Sequence, residues 1–265
     1  MARFISEFWW FGLKQAWACL FGGLLLLGIL LTTFWYPADA WLARYDFLFL
    51  YALAIQAGLL IFKLETWEEA KVILLFHMVG TVMELFKTHV GSWSYPEENL
   101  VRIMGVPLFS GFMYSAVGSY LARVWREFDF RFDHHPPIWV TSLMGGAIYL
   151  NFFTHHYVID MRYFLFVAVA VMYRRSWIYF SVMQGRYRMP ILLALFLGAF
   201  FIWIAENIAT FGGIWLYPNQ TQSWHMVPLS KLGSWFLLMI ISGVLLTFVQ
   251  KPLPEKSSKN LSEKP

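Results

Sequence analysis

Charged residues are scarce in this sequence. Asp, Glu, Lys and Arg make up 14% of its 265 residues, whereas hydrophobic residues make up 59%. A soluble domain carries about 25% charged residues, so the composition excludes an ordinary soluble enzyme. A bilayer core needs about 20 mostly apolar residues for each helix, which leaves room for about seven or eight spans. The composition predicts an all-α, polytopic bundle of about eight transmembrane helices, with the lipid bilayer as its surroundings.

Cysteine is nearly absent as well. Cys19 is the single cysteine, which excludes an intramolecular disulfide and a cysteine pair that could hold a metal. The sequence also lacks the G-x-S-x-G pattern of serine hydrolases and the glycine-rich phosphate-binding loop. Its seven histidines form none of the H-x3-H or H-x2-H-H clusters of membrane di-iron enzymes. From the sequence, metal content and cofactor are both unknown.

The net charge of +4 is spread along the chain instead of forming one patch. Because the basic residues punctuate apolar segments, we expect no nucleic acid partner. Eight transmembrane segments are predicted, at about residues 15–35, 46–62, 69–88, 104–124, 137–153, 157–173, 190–211 and 230–249. This topology puts 15 of the 20 Lys and Arg residues on the side of both termini. Positive charge is enriched in cytoplasmic loops, so we expect a multi-pass protein of the cell (plasma) membrane with both termini cytoplasmic.

Two polar regions lie outside these segments. Residues 174–189, RRSWIYFSVMQGRYRM, are basic at both ends and aromatic between, which suits a short helix in the headgroup region. Residues 251–265 are polar and interrupted by proline, and we expect a disordered cytoplasmic tail. The transmembrane domain is then residues 1–250.

One pattern, E-x6-G-x-W-x-Y-P, occurs twice in the sequence. The first copy runs from Glu84 to Pro96, and the second, 122 residues later, from Glu206 to Pro218. Val-Pro-Leu follows each copy, at 106–108 and at 227–229. Four predicted spans separate the copies, so both would have the same orientation across the membrane. The pattern predicts a parallel internal repeat of two four-helix halves, at about residues 1–130 and 131–250.

The two glutamates of the repeat are the leading site candidates. A charge within a bilayer costs at least about 2.5 kcal/mol by insertion scales, so such residues usually face the interior of the bundle. The glycine and aromatic residues of the motif could also form a purely structural turn at the membrane interface. A salt bridge between Glu84 and Lys87, one helical turn apart, is a second structural interpretation.

The segment NFFTHHYVIDMR at 151–162 supplies further polar residues. If it is helical, Asn151 pairs with His155, and Asp160 orients His156 as the partner of a general base or metal ligand. The predicted catalytic residues are Glu84, His155, His156, Asp160 and Glu206. The predicted substrate-binding residues are His77, Lys87, His89, Trp93, Tyr95, Asn151, Arg162, Asn207, Trp215, Tyr217 and His225. A mononuclear metal site from the two glutamates and one histidine of the pair stays open.

Four stretches carry a resemblance to a known family. They are LFHMVGTVMELFKTHVGSWSYPEE at 75–98, GVPLFSGFMY at 105–114, NFFTHHYVIDMR at 151–162 and FFIWIAENIATFGGIWLYPNQ at 200–220. With them, nearly the full chain resembles the domain-of-unknown-function 817 family, the YoaT-like bacterial integral membrane proteins. The resemblance implies kinship and no activity.

Lycopene cyclase-type membrane domains are more distantly similar. They too repeat an acidic residue and a G-x-W-x-F/Y turn, followed by a G-x-P-x-E-E helix start. After the proline, the x-E-E of that pattern is replaced here by Leu108, Phe109 and Ser110, and in the second copy by Leu229, Ser230 and Lys231. The similarity implies a related helical scaffold that lacks the acid pair of the cyclases.

Three kinds of function are compatible with these features. The first is an enzyme or binder that acts on a lipid or isoprenoid-like molecule, an apolar or amphiphilic partner, at an outward-facing polar cavity. The second is a transporter or proton-coupled permease, for which parallel repeats and intramembrane carboxylates are typical. The third is a structural membrane protein without chemistry. Polar residues that cluster near one surface instead of the midplane favour the first.

Overall fold

The computed structural model of the chain describes residues 2–254, and most of them are helical. The α-helices in that range are α1 (Ala2–Ala18), α2 (Leu20–Trp35), α3 (Arg44–Ile61), α4 (Trp67–His89), α5 (Phe109–Glu127), α6 (Ile138–Thr154), α7 (Arg162–Tyr173), α8 (Ile191–Phe211) and α9 (Ser230–Thr247). The strands are β1 (Arg102–Ile103), β2 (Val106–Pro107), β3 (Arg131–Asp133), β4 (Trp177–Ser181) and β5 (Arg186–Pro190). Each of the eight predicted segments overlaps a helix, and the prediction of a mostly helical chain is confirmed.

Several of these helices are apolar and long enough to cross a membrane. α3, α8 and α9 qualify alone, and α1 with α2 qualifies as one span that bends by 68°. α6 and α7 are apolar but shorter. α7 has 12 residues, so it reaches about 18 Å against a hydrocarbon core of about 30 Å. The predicted sixth segment is therefore shortened, because residues 155–161 are not helical.

Glycines allow α4 and α5 to approach each other closely. A Cβ atom added at Gly80 of α4 would lie 2.4 Å from the ring of Tyr114. A Cβ atom at Gly118 of α5 would lie 2.8 Å from the ring of Phe76. Only a residue without a side chain permits such contacts. They fix the position of Tyr114 against α4. α9 packs against α8 and also contacts α5 and α6.

Residues 174–189 do not form the interfacial helix predicted from their composition. They contribute β4 and β5, which pair with each other and with β3 in an antiparallel sheet. Burial alternates along β4, and alternation in an aromatic and β-branched segment favours a strand over a helix. A second sheet joins β1 to β2. The all-α prediction is corrected by these two small sheets.

The start of the predicted tail is attached to β3. The backbone N–H of Phe132 donates to the carbonyl of Leu253 at 2.9 Å. The edge of β3 that does not pair with β4 offers backbone groups that need partners. The structure thus describes residues 251–254 against β3, whereas residues 255–265 lie outside the described residues, and the disorder of the tail stays a prediction.

A buried ion pair connects α5 to the turn that precedes α4. Nη2 of Arg123 lies 3.3 Å from Oε1 of Glu65, and both side chains are fully buried. Ser119 and Gln56 donate hydrogen bonds to the same carboxylate at 2.8 and 2.7 Å. Nη1 of Arg123 donates to the carbonyl of Trp17. A buried charge must be paired and hydrogen-bonded, and this network joins α1, α3 and α5.

Candidate functional site

The two copies of the repeated pattern have the same local structure. Gly91 and Gly213 both have left-handed backbone, with φ of 71° and 66°. The N–H groups of Ser92 and Ile214 each donate to a carbonyl five residues earlier, at 2.9 and 3.1 Å. A left-handed residue just after a helix favours glycine. The motif therefore ends α4 and α8 in the same way.

The two motifs also pair with each other. The backbone N–H of Ser94 donates to the carbonyl of Leu216 at 3.0 Å, and the N–H of Leu216 donates back at 2.9 Å. This antiparallel bridge brings the tryptophans and tyrosines of both copies together: the rings of Trp93 and Tyr217 are 6.0 Å apart and almost perpendicular.

Glu84 is held by three aromatic donors. The side chain is 3% exposed. Nε1 of Trp93 and the hydroxyl of Tyr95 donate to Oε2 at 2.7 and 2.6 Å. The hydroxyl of Tyr114, from α5, donates to Oε1 at 2.8 Å. These bonds replace water around the buried carboxylate.

Glu206 is held in a matching way. It is 4% exposed. The hydroxyl of Tyr217 donates to Oε1 at 2.5 Å, and Nε1 of Trp235, from α9, donates to Oε2 at 2.8 Å. Each glutamate thus accepts one bond from the tyrosine of its own motif and one from the helix that follows.

Both carboxylates line one cavity of about 330 Å³. Its charged and imidazole side chains are Glu84, Lys87, His155, His156, Arg162, Glu206 and Lys231. Its apolar side chains include Met83, Met113, Ile148, Leu237, Leu238 and Ile241. The volume lies in the range of small-molecule sites, about 300–1,000 Å³. The wall combines a charged part with an apolar part.

Lys87 contacts the two histidines and not Glu84. Its Nζ lies 2.7 Å from Nε2 of His156 and 3.4 Å from Nε2 of His155. It also lies 4.2 Å from the centre of the Phe152 ring. Among the residues that the structure describes, no carboxylate forms an ion pair with Lys87. The predicted salt bridge with Glu84 is not formed, because the glutamate is taken by its aromatic donors.

His155 and His156 lie in the connection between α6 and α7, with ring centres 4.1 Å apart. Nδ1 of His155 lies 2.9 Å from the carbonyl of Asn151. A carbonyl only accepts, so this nitrogen carries the proton and Nε2 is left as the acceptor. Burial lowers the pKa of both histidines, and the Lys87 ammonium group lowers it further. Both imidazoles are therefore neutral at neutral pH.

The predicted pairing of Asp160 with His156 is not formed. That pairing needs a helix through residue 160, whereas α6 ends at Thr154. Oδ1 of Asp160 accepts instead from Nδ2 of Asn151 at 3.2 Å and from the N–H of Arg162 at 2.9 Å. Oδ2 lies 3.3 Å from the guanidinium of Arg162. Asp160 therefore orients Arg162, which lines the cavity.

Lys231 lies in the first turn of α9 and rests on two aromatic rings. Its Nζ is 4.3 Å from the ring centre of Tyr217 and 5.5 Å from that of Trp93. Cation–π contacts of this kind stabilise an ammonium group when water is excluded. Within residues 2–254 it also has no carboxylate at ion-pair distance.

Known proteins match the chain over nearly its whole length. The family model described as "Protein of unknown function (DUF817)" matches residues 7–243. The chain belongs to the DUF817 family. It is 43% identical over 257 residues to the uncharacterised protein YoaT of Bacillus subtilis (strain 168), a match that covers 97% of each chain. The family resemblance found in the sequence is confirmed.

A solved structure of a cross-linked MvINS trimer is 16% identical to this DUF817 protein, with a TM-score of 0.46. The match covers 71% of this chain and 97% of that chain. Similarity at this level establishes no shared fold. The matched family and YoaT carry no lycopene cyclase name, so that similarity stays a prediction.

Ten of the sixteen predicted site residues of this DUF817 protein line the cavity. The six that do not are His77, His89, Tyr95, Asp160, Asn207 and His225. His77 packs on Phe112, with ring centres 4.5 Å apart. Oδ1 of Asn207 accepts from the N–H of Val227 at 2.9 Å. His89 and His225 are exposed, and the hydroxyl of Tyr95 donates to Glu84 without lining the cavity.

Three residues that hold or face the carboxylates were not among the predicted site residues of this DUF817 protein: Tyr114, Lys231 and Trp235. The sequence does carry a signal for two of them. Tyr114 comes seven residues after Pro107, and Trp235 comes seven residues after Pro228. Alignment of the copies on Val-Pro-Leu therefore matches the two aromatic donors. Lys231 has no counterpart of the same charge in the first copy.

The acidic and imidazole residues of the cavity do not form a metal site. Within residues 2–254, no group of three or more His, Cys, Asp or Glu residues could hold a metal ion. The oxygens of Glu84 and Glu206 are occupied by aromatic donors. The mononuclear alternative therefore has no support in this donor set.

Proposed function

We propose that this DUF817 protein binds and acts on a lipid or isoprenoid-like amphiphile in the cavity between its two motifs. One observation carries the proposal: two buried carboxylates, three cationic side chains and two imidazoles line the same cavity as at least six apolar side chains. Such a wall suits a molecule with a polar head and an apolar tail. The exposed bundle surface around it is rich in large apolar side chains, which suits a lipid environment.

The proposed architecture is a duplicated domain with eight spans, in two four-helix halves at about residues 1–130 and 131–250. Support comes from the matched helix ends at Gly91 and Gly213 and the bridge between equivalent positions, Ser94 and Leu216. The short helices α6 and α7 would span with the help of their flanking segments. The distribution of Lys and Arg favours a cell membrane protein with cytoplasmic termini and a cavity that opens outward.

The imidazoles are the proposed acid and base groups. Nε2 of His155 is an acceptor because its Nδ1 faces a carbonyl, and both rings are neutral at neutral pH. A neutral imidazole within reach of a substrate is suited to general base catalysis. Glu84 and Glu206 have a positioning role, because their hydrogen bonds hold aromatic side chains that line the cavity. Glutamine at either position keeps the side-chain volume but replaces one acceptor oxygen with an NH2 donor, so the aromatic wall loses part of its support.

The proposal is tested on protein purified gently into nanodiscs, with bound small molecules identified by native mass spectrometry and lipidomics. We expect an amphiphile to be retained by the unaltered protein and lost or reduced about tenfold in Glu84→Gln and Glu206→Gln. Glu68→Gln is the matched control, because Glu68 is exposed on the helix that carries Glu84 and pairs with the exposed Lys71.

Two outcomes would contradict the proposal. One is the absence of any bound amphiphile in the unaltered protein, even after incubation with a lipid extract. The other is equal retention by both variants. Net movement of the amphiphile across proteoliposomes, without chemical change, would favour the transporter alternative instead.

A further inference from the structure

We propose that the head group bound in this cavity is a phosphate or diphosphate oxyanion, held by Lys87, Lys231 and Arg162. The inference rests on the proposed function and adds the chemistry of the head group. The same chemistry is found in a phosphorylated isoprenoid or lipid and in free phosphate, and the apolar wall favours the first source.

The first support is that two lysines reach the cavity without an anionic partner. Lys87 is 4% exposed, and within residues 2–254 its ammonium group contacts two imidazole nitrogens and two phenyl rings. Lys231 rests on aromatic rings. In the part of the chain that the structure describes, neither forms an ion pair. A buried charge without a counter-ion is costly, so an oxyanion between the lysines would stabilise both.

The nearby carboxylates do not act as counter-ions to Lys87 and Lys231. Glu84 accepts three hydrogen bonds from aromatic side chains, and Glu206 accepts two. Glu206 attracts Lys231 electrostatically but is not at ion-pair distance. Asp160 pairs with Arg162 and also attracts Lys87, but it does not reach ion-pair distance of that lysine.

The three cations line the same cavity and influence one another electrostatically. Lys231 and Arg162 both repel the positive charge of Lys87, and Arg162 also repels that of Lys231. A dianion among them would relieve this repulsion, whereas a monoanionic carboxylate would relieve less of it. Lys231 lies in the first turn of α9 and Arg162 begins α7. Helix N-termini carry positive partial charge, which adds to the preference for an anion.

The test compares three probes that differ only in head or tail: farnesyl phosphate, farnesol and inorganic phosphate. Binding to the full chain in nanodiscs is measured by native mass spectrometry. We expect farnesyl phosphate to bind at least about tenfold more tightly than farnesol, since charge-assisted hydrogen bonds are the strong ones. We expect inorganic phosphate to bind much more weakly than farnesyl phosphate, because it leaves the apolar wall unfilled.

Variants identify the residues responsible. Lys87→Gln and Lys231→Gln should each remove most of the preference for farnesyl phosphate over farnesol, while farnesol binding is kept. Lys231→Arg keeps the positive charge and should keep the preference for farnesyl phosphate. This variant distinguishes the loss of charge from a loss of folded protein. Lys71→Gln, on the exposed start of α4, is the control and should change nothing.

Each outcome has a distinct meaning. Equal binding of farnesyl phosphate and farnesol would overturn the head-group inference and leave amphiphile binding intact. If inorganic phosphate bound as tightly as farnesyl phosphate, the apolar wall would contribute nothing. The inference that the phosphate group belongs to an amphiphile would then be overturned. Failure of all three probes, and of a lipid extract, would count against the proposed function itself.

Discussion

Ser94 and Leu216 exchange two backbone hydrogen bonds although 122 residues separate them in the sequence. Each is the residue between the tryptophan and the tyrosine of its motif. An antiparallel pair of equivalent positions has local twofold symmetry, which is the relation that the proposed duplication requires. The bridge also keeps both carboxylates at one cavity, since Tyr95 and Tyr217 flank it and each binds its own glutamate.

The bridge predicts that cysteines introduced at its two positions will form a disulfide between the motifs. Partners that exchange both hydrogen bonds have Cα atoms about 5.5 Å apart, within the range that a disulfide spans. The double variant Ser94→Cys and Leu216→Cys, made together with Cys19→Ser, should form an intramolecular disulfide on mild oxidation. A faster non-reducing gel band, and mass spectrometry of the linked peptides, detect it.

The control for this cross-link keeps Ser94→Cys and moves the second cysteine to another position. Ser94→Cys with Asn219→Cys moves the second thiol to an exposed position beyond the motif and should link far less efficiently. Equal cross-linking of both pairs would show that the motifs meet only transiently, contrary to the bridge.

Tyr114 is predicted to stabilise the fold through Glu84. Tyr114→Phe keeps the ring that packs against Gly80 and removes the hydroxyl that donates to the carboxylate. Loss of a hydrogen bond to a charged group costs about 1.5–3 kcal/mol, and we expect a lower midpoint of thermal unfolding in detergent. Tyr163→Phe, on an 80% exposed tyrosine, is the control. An unchanged midpoint for Tyr114→Phe would mean that the hydroxyl is solvated elsewhere.

The sequence predicted the helices, the family and six of the seven charged and imidazole side chains of the cavity. Helical segments were visible because apolar runs dominate the chain, and the site was visible because a buried glutamate stands out in such a run. Residues 174–189 were misassigned because an aromatic segment with basic ends suits an interfacial helix as well as a hairpin. Only the pairing of β4 with β3, between segments more than 40 residues apart, decides for the strand.

The partners of the titratable residues could not be predicted from spacing alone. Glu84 and Lys87 are one helical turn apart, yet the aromatic donors of the motif are better placed for the carboxylate. Lys87 instead meets His155 and His156, which are 68 and 69 residues away. Their positions depend on where α6 ends, and the sequence shows no strong stop signal at Thr154.

The buried pair of Glu65 and Arg123 is predicted to be essential for stability. Glu65→Leu removes the carboxylate and leaves a guanidinium group fully buried without its counter-ion. Breaking such a pair costs about 3–5 kcal/mol, so we expect strongly reduced yield and a much lower unfolding midpoint. The double variant Glu65→Leu with Arg123→Met should recover much of the loss, because it removes both charges. A single variant as stable as the unaltered protein would show that water reaches Arg123.

Stability should fall in mild acid because of the two cavity histidines. Their pKa in the folded protein is lowered below the ordinary value of 6.5, first by burial and then by Lys87. Above about pH 7 both folded and unfolded chains hold neutral imidazoles, so no difference arises. As pH falls through 6.5, the unfolded chain gains protons more readily than the folded chain, and the folded state loses stability until its own lower pKa is passed. The half-buried His155 contributes more to this loss than the exposed His156, whose interactions are screened by solvent.

The measurement is the unfolding midpoint in detergent from about pH 8 to about pH 5, a range that brackets the ordinary histidine pKa. The double variant His155→Asn with His156→Asn should give a flatter profile than the unaltered protein, because it removes the two groups that resist protonation. His89→Asn, on an exposed histidine at the end of α4, is the control and should keep the original slope. Parallel profiles for the double variant and the unaltered protein would mean that Lys87 and its surroundings leave both imidazoles free to titrate normally.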